Sequence, residues 1–304
     1  MKPIYSLFSI FTCALIFLST SSTVIAQTKV VVIPLGGDAE SLQNVITVAK
    51  SNGDFTDPIK ALNSITDASS SNPYLIVIAP GVYYLSSQLV MKEYVSIAGS
   101  GKETTFLSLS SSAPKLDYFV TGANNTELSD LTIDSGELTR GLHIVDNLNI
   151  YRSRFKSGST GIDCGHSTVA IVDSEIRANV RGIYADECNV TLNNTSLFVG
   201  FAVGTGSMYL VNSSLNIEGG SILGDIEQYA GVQSIILRFS NSLFRGDIFN
   251  TNLHHFTDLT ARVYLSNSTF SGEVSNIDNG DNSAQTLCNF VFSEDQTPLN
   301  ASCE

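Results

Sequence analysis

Residues 169–176 read VAIVDSEI, and close copies of this word recur along the chain. LNIYRSRF begins at 148, VTLNNTSL at 190, MYLVNSSL at 208, LRFSNSLF at 237 and VYLSNSTF at 263. The shared form is apolar, any, apolar, any, polar, Ser or Thr, any, apolar. A looser copy, TELSDLTI at 126, carries Leu131 at the Ser position. The second apolar position falls at Leu128, Ile150, Ile171, Leu192, Leu210, Phe239 and Leu265, in steps of 22, 21, 21, 18, 29 and 26 residues.

A period in the twenties with one short alternating segment per unit is the signature of a solenoid. Alternation with period two makes the segments strands, one side chain pointing in and the next out. A second echo, GLHI at 141, GIDC at 161 and GIYA at 182, begins another strand in three successive units. Abundant Asn, Ser, Thr, Val and Ile disfavours helical repeats. The expected fold is all-β, a right-handed parallel β-helix with one coil per repeat. The pairs at Asp173-Ser174, Asn194-Thr195, Asn212-Ser213, Asn241-Ser242 and Asn267-Ser268 are expected to stack as a polar turn ladder, rungs about 4.8 Å apart.

Residues 1–26 read as an export signal. Lys2 supplies the charge, LFSIFTCALIFL the apolar run and Val24-Ile25-Ala26 a cleavage site. Polar STSST interrupts the run before it reaches the roughly 20 apolar residues of a membrane span. The expected product, residues 27–304, is a single β-helix domain that is secreted, periplasmic or on the cell surface. Its parts are a cap with first coils (45–105), repeat coils (126–270) and a C-terminal cap (271–304).

The full chain carries a net charge of −13, and without Lys2 it carries −14, fifteen basic residues against 29 acidic. Such acidity argues against nucleic acid as a partner and against polyanionic glycans without cations.

Cys288 and Cys303 both lie beyond the last repeat and are expected to form a disulfide closing the C-terminal end. For Cys164 and Cys188 two readings stand. Aligning the repeats sets Ala185, not Cys188, above Cys164, so a bridge has to cross a corner between sheets; the alternative is a pair of buried free thiols.

The N-terminal segment has a different texture. TDPIKALNSI, residues 56–65, offers Thr56 or Asp57 as a cap, Pro58 in the first turn, and Ile59, Leu62 and Ile65 on one face. This predicts a short amphipathic helix covering the open first coil. VAKSNGDFTDPIKALNSI, IVIAPGVY and IAGSGKETT, beginning at 48, 76 and 97, resemble the opening of pectin methylesterases and other pectin-lyase-like β-helix proteins. The resemblance covers about the first fifth of the chain. TLCNFVFSEDQTPLNASC, beginning at 286, resembles the end of uncharacterised secreted bacterial β-helix proteins.

That resemblance implies a fold, and chemistry has to be sought separately. Pectin methylesterases use two aspartates, an arginine and glutamines on the central sheet, within a Gly-x-x-Asp-Phe-Ile type signature that this sequence lacks. Gly53-Asp54-Phe55 belongs to the N-terminal cap. Of the polygalacturonase motifs only Cys164-Gly165-His166-Ser167 echoes one, without its acidic partners. The arginine-centred motifs of pectate lyases are missing too. SIAGSGKE at 96 departs from a phosphate loop at Ser96 and Glu103 and reads as a turn. His254-His255 reads as a loop pair. DNGDN at 278 offers oxygen ligands for calcium but lacks a distal Glu, so no cofactor is expected beyond that one calcium candidate.

One outward stripe stands out. The repeat sets His143, Asp163 and Tyr184 one above another, with Arg140 and Arg181 just before the glycines of the same strands. An imidazole, a carboxylate, a phenol and a guanidinium on one face suit a sugar. The bland alternative is an ordinary solvated surface. The expected role is a secreted, non-catalytic surface for a glycan or cell-surface polysaccharide, in binding, envelope or adhesion. The alternative is a polysaccharide-active enzyme with an unfamiliar site.

Overall fold

In a computed structural model, the structure describes residues 44–200, 208–230, 235–252, 261–277, 284–293 and 295–301. Strands of successive coils pair in parallel and in register, giving a right-handed β-helix. Among the described residues one face is a nine-stranded sheet, and the other two faces join in an eighteen-stranded sheet. One coil shows the plan. Thr160–Gly165 lies in the nine-stranded sheet, Thr168–Val172 and Glu175–Ala178 in the other, with two residues at each corner.

The register corrects one sequence reading. Met208–Val211 lies in the nine-stranded sheet, where Leu210 pairs with Ala185. The residue in line with Leu192 and Phe239 is Ile217. The steps through Leu128, Ile150, Ile171, Leu192, Ile217, Phe239 and Leu265 are therefore 22, 21, 21, 25, 22 and 26. The copy at 208 misled because two different corners of the coil use one turn chemistry, so the same word is written at both.

That chemistry explains the recurring letters. The residue before each Ser or Thr turns left-handed: φ is 45° at Arg152, 51° at Asp173, 46° at Asn194, 52° at Asn241 and 45° at Asn267. Asn and Asp tolerate this region best among residues with a side chain. The next hydroxyl folds back to the carbonyl two residues earlier, Ser174 Oγ to Val172 O at 2.7 Å and Ser242 Oγ to Ser240 O at 2.7 Å. It also accepts the backbone N–H of its counterpart one coil earlier, Ser153 N to Ser174 Oγ at 3.1 Å and Ser242 N to Ser268 Oγ at 3.2 Å. The other corner repeats this at Asn212-Ser213, where φ is 47° and Ser213 Oγ receives Cys188 N at 2.9 Å. Asn212 is thus in the ladder of His166 and Glu187, not in that of Asn194 and Asn241. Within the predicted ladder Asn194 donates to Asp173 at 2.7 Å and Asn267 to Asn241 at 2.5 Å.

Inside the coils like side chains stack. Ile133, Phe155, Ile176, Leu197, Ile222, Phe244 and Phe270 form one buried column. Val120, Leu142, Ile162 and Ile183 form another. Each such residue contributes about 1.5–3 kcal/mol on leaving water, and none achieves this without a neighbouring coil. The first coil is covered by the helix Pro58–Ser64, as expected, with Asp57 accepting from Ile59 N and Lys60 N. Ala61, Leu62 and Ile65 are buried against Val48 and Ile76.

Ion pairs tie the outer surface along the same corner: Arg152 to Asp130 at 2.7 Å, and Arg154 to Glu103 at 2.6 Å and to Glu175 at 2.8 Å. Burial pushes the Glu175 carboxyl up, but the hydrogen bonds and charges of Arg154 and Arg177 outweigh it and hold the group below the usual glutamate range.

Two outcomes follow from these contacts. Ser174→Ala leaves Ser153 N without its acceptor inside the corner and is expected to cost about 1–3 kcal/mol in urea denaturation; an unchanged midpoint would show that the hydroxyl is dispensable. Because the folded-state pKa of Glu175 is depressed, its contribution is present above the unfolded value and fades as pH falls through the folded one. Glu175→Gln is therefore expected to be less stable than wild type near pH ~7 and to converge with it near pH ~3, read from urea midpoints across that range.

Candidate functional site

The outward stripe lies on the nine-stranded sheet. His143 pairs with Asp163, Asp163 with Tyr184, and Tyr184 with Tyr209, so the side chains stand on successive rungs as the repeat predicts. Beside them runs a glycine rung. A Cβ on Gly141 would come within 2.4 Å of Gly161 O, and one on Gly161 within 2.8 Å of Gly182 O. This close approach of backbones, not an unusual φ, requires glycine there.

The rungs divide into two groups. In the first, Arg140 Nη1 bonds Asp163 Oδ2 at 2.9 Å and the Tyr118 hydroxyl at 2.9 Å, and that hydroxyl donates to Asp163 Oδ2 at 3.2 Å. The His143 ring packs on Tyr118 with centroids 4.2 Å apart. Asp163 is outward by register yet only 8% exposed, because Arg140 and Tyr118 close over it. Burial first, and the Asp163 charge second, push the Tyr118 phenol above its ordinary value.

In the second group the Tyr184 and Tyr209 rings stack 5.5 Å apart and 3° from parallel. The Arg181 guanidinium lies over both, 4.7 Å from the Tyr209 centroid and 5.7 Å from that of Tyr184. It makes no ion pair among the described residues. Burial raises the Tyr184 phenol, with help from the Asp186 and Asp163 carboxylates. One face of Tyr184 is therefore occupied by Tyr209, and what it offers a ligand is its hydroxyl and edge.

All four predicted stripe residues stand on this face, His143 and Asp163 in the first group, Arg181 and Tyr184 in the second. Sequence reading missed Tyr118 and Tyr209. Tyr209 was hidden by the misplaced word at 208; once Met208–Val211 is assigned to this sheet, it falls in line with Tyr184. Tyr118 has no such signal, since its strand Tyr118–Thr121 lacks the glycine that marks the other three.

The cysteine question at this corner is answered by a Cys164–Cys188 disulfide, with Cα atoms 6.0 Å apart. Ala185 does sit beside Cys164, and the bond crosses from the nine-stranded sheet to the corner entering Asn189–Val199. It is buried directly behind Asp163 in sequence and in space. Cys288 is also disulfide-bonded; Cys303, its expected partner, lies outside the described residues. So do His254-His255, the DNGDN calcium candidate at 278–282 and the export signal. Among the described residues no group of three His, Cys, Asp or Glu is placed to hold a metal ion, and no helix is long and apolar enough to cross a membrane.

No family profile and no curated sequence matches the chain. Solved structures do. Pectin methylesterase from carrot superposes with a TM-score of 0.52 at 13% identity, over 82% of this chain and 90% of that one. Pectin methylesterase PemA from Erwinia chrysanthemi gives 0.51 at 15% identity, over 87% and 92%. A pectin methylesterase in complex with a hexasaccharide gives 0.50 at 14%, over 86% and 92%. At such identities the likeness is one of fold, and it extends the N-terminal resemblance to most of the chain: this is a pectin-lyase-like β-helix.

Replacing Cys164 and Cys188 together by Ala is expected to lower stability by about 3–4 kcal/mol, since the bond spans 24 residues. Urea denaturation of the oxidised protein and the double variant measures this. Equal midpoints would mean that the bond adds nothing to the hold of the corner on the strand carrying Asp163.

Proposed function

We propose that the stripe on the nine-stranded sheet is a binding surface for a neutral glycan, displayed by a secreted bacterial β-helix protein of the envelope or an adhesive coat. The observation that supports it best is the division of the stripe. Asp163 is already closed over by Arg140 and Tyr118, so the one carboxylate central to the stripe is a structural partner rather than a free base. The hydroxyls of Tyr184 and Tyr209, the Arg181 guanidinium and the His143 ring remain along an exposed edge, donors and acceptors at the rung spacing of about 4.8 Å. A sugar chain has hydroxyls to meet them. The nearby charges of Asp163 and Asp186, together with the net charge of −13, favour neutral over acidic chains.

A second reading has one observation in its favour. Asp163 and Asp186 both act on the Tyr184 phenol, so two carboxylates flank one outward group, an arrangement suited to acid–base work on a polysaccharide. The pectin methylesterase architecture is compatible with either role.

One experiment separates them. Full-length protein is titrated with neutral and acidic oligosaccharides while methanol, acetate and unsaturated sugars are assayed. The expected result is binding of a neutral oligosaccharide without product, weakened about tenfold or more by Arg181→Ala and by Tyr184→Ala with little change in melting temperature. Product release lost in Asp163→Ala or Asp186→Ala would establish the enzymatic reading instead. Binding indifferent to both Arg181→Ala and Tyr184→Ala would remove this face from consideration.

A further inference from the structure

The corners between the two halves of the eighteen-stranded sheet are two residues long at 152–153 and 173–174, but residues 99–104 put six at the equivalent place. This longer turn overhangs the coils that follow. Glu103 receives Arg154 through both of its carboxylate oxygens, at 2.6 and 3.0 Å. Lys102 reaches further, its Nζ meeting the Asp173 carbonyl at 3.3 Å. Below the overhang is a cleft of about 340 Å³ whose walls include Lys102, Asp173, Glu175, Arg177, Asn194 and Phe198. Its volume is at the lower end of small-ligand sites, about 300–1,000 Å³.

We propose that this cleft is a second ligand site, on a different sheet from the stripe, and that it takes a single anionic sugar unit. Charge accounting selects the anion. The Glu175 carboxylate is shared between Arg154 and Arg177, and Arg154 also holds Glu103. Asp173 accepts from Asn194 at 2.7 Å. Lys102 makes no ion pair among the described residues; its single hydrogen bond goes to a neutral carbonyl, which leaves N–H groups of the ammonium for an acidic oxygen. Ring recognition comes from Phe198, across which Arg177 lies at 5.4 Å, giving an apolar floor with a cationic rim. Asn194 and Asp173 supply the donor and acceptors for hydroxyls. The acidic group is a carboxylate or a sulfate, which Lys102 serves alike as a point charge.

The test is calorimetric titration of the full-length protein with glucose, glucuronate and glucose 6-sulfate, on wild type and on Lys102→Ala, Phe198→Ala and Tyr184→Ala. At least one anionic sugar is expected to bind about tenfold or more tightly than glucose, and the arm that does so identifies the acid. Lys102→Ala is expected to abolish the difference, Phe198→Ala to weaken all binding, and Tyr184→Ala to leave it unchanged. Should Phe198→Ala fail to fold, Lys102→Ala, on an outer turn, decides alone. Equal affinity for charged and neutral sugar, absence of binding, or an anion preference that survives Lys102→Ala would overturn the proposal. Binding lost in Tyr184→Ala but kept in Lys102→Ala would place the sugar on the stripe and overturn it as well.

Discussion

A coil of about 21 residues that turns with only two residues at a corner leaves those corner N–H groups inside the wall, out of reach of water. Here the problem is solved by pairing a left-handed residue with a buried hydroxyl. The left-handed residue swings the chain through the corner, and the hydroxyl that follows returns to a carbonyl of its own coil while accepting an N–H from the coil before. The second contact makes each corner depend on its neighbour. The alternating strands and apolar columns are positioned by these corners. A slip of one residue would turn every column inside out, so corners that fix the register fix the core as well.

This constraint decides what could be read from the sequence. The hydroxyl has to be small and bonded in two directions, which restricts the position to Ser or Thr and writes a visible repeat. Leu131 shows the limit: in the earliest copy a buried leucine takes the place, and the Leu131 carbonyl still serves the next coil by accepting Arg154 N at 2.9 Å. The helix, its cap and the stacking of His143, Asp163 and Tyr184 were all legible because each rests on spacing alone. The placement of Asn212-Ser213 was not, since the same turn chemistry serves two corners and a local pattern cannot say which one it occupies. The Cys164–Cys188 bond was open for a related reason. Column alignment sets Ala185 beside Cys164 correctly, but the diagonal across a corner is a three-dimensional distance that periodicity does not encode.

The candidate sites were legible to the extent that they follow the lattice. A parallel β-helix sets like positions about 4.8 Å apart, which suits repeating contacts with a repeating ligand and explains why Tyr184 and Tyr209 lie face to face. Contacts that cut across the lattice escaped. Tyr118 meets Asp163 over 45 residues of sequence and Lys102 meets Asp173 over 71, and both depend on long side chains that span more than one rung.

The same geometry bears on whether the surface can do chemistry. Acid–base work needs two groups with separate environments, one relieved of its proton and one keeping it. Regular rungs place similar groups in similar surroundings, so a β-helix gains such asymmetry only where long side chains or a lengthened turn break the repeat. The stripe has one such break, at Arg140, Tyr118 and Asp163, and there the asymmetry is spent on neutralising a carboxylate that register alone would have left open to water. The lengthened turn at 99–104 is the other break, and it leaves a cation without an ion-pair partner beside an aromatic ring. In the first case the departure from the lattice closes a charge in; in the second it holds one available, which is the arrangement a ligand of opposite charge requires.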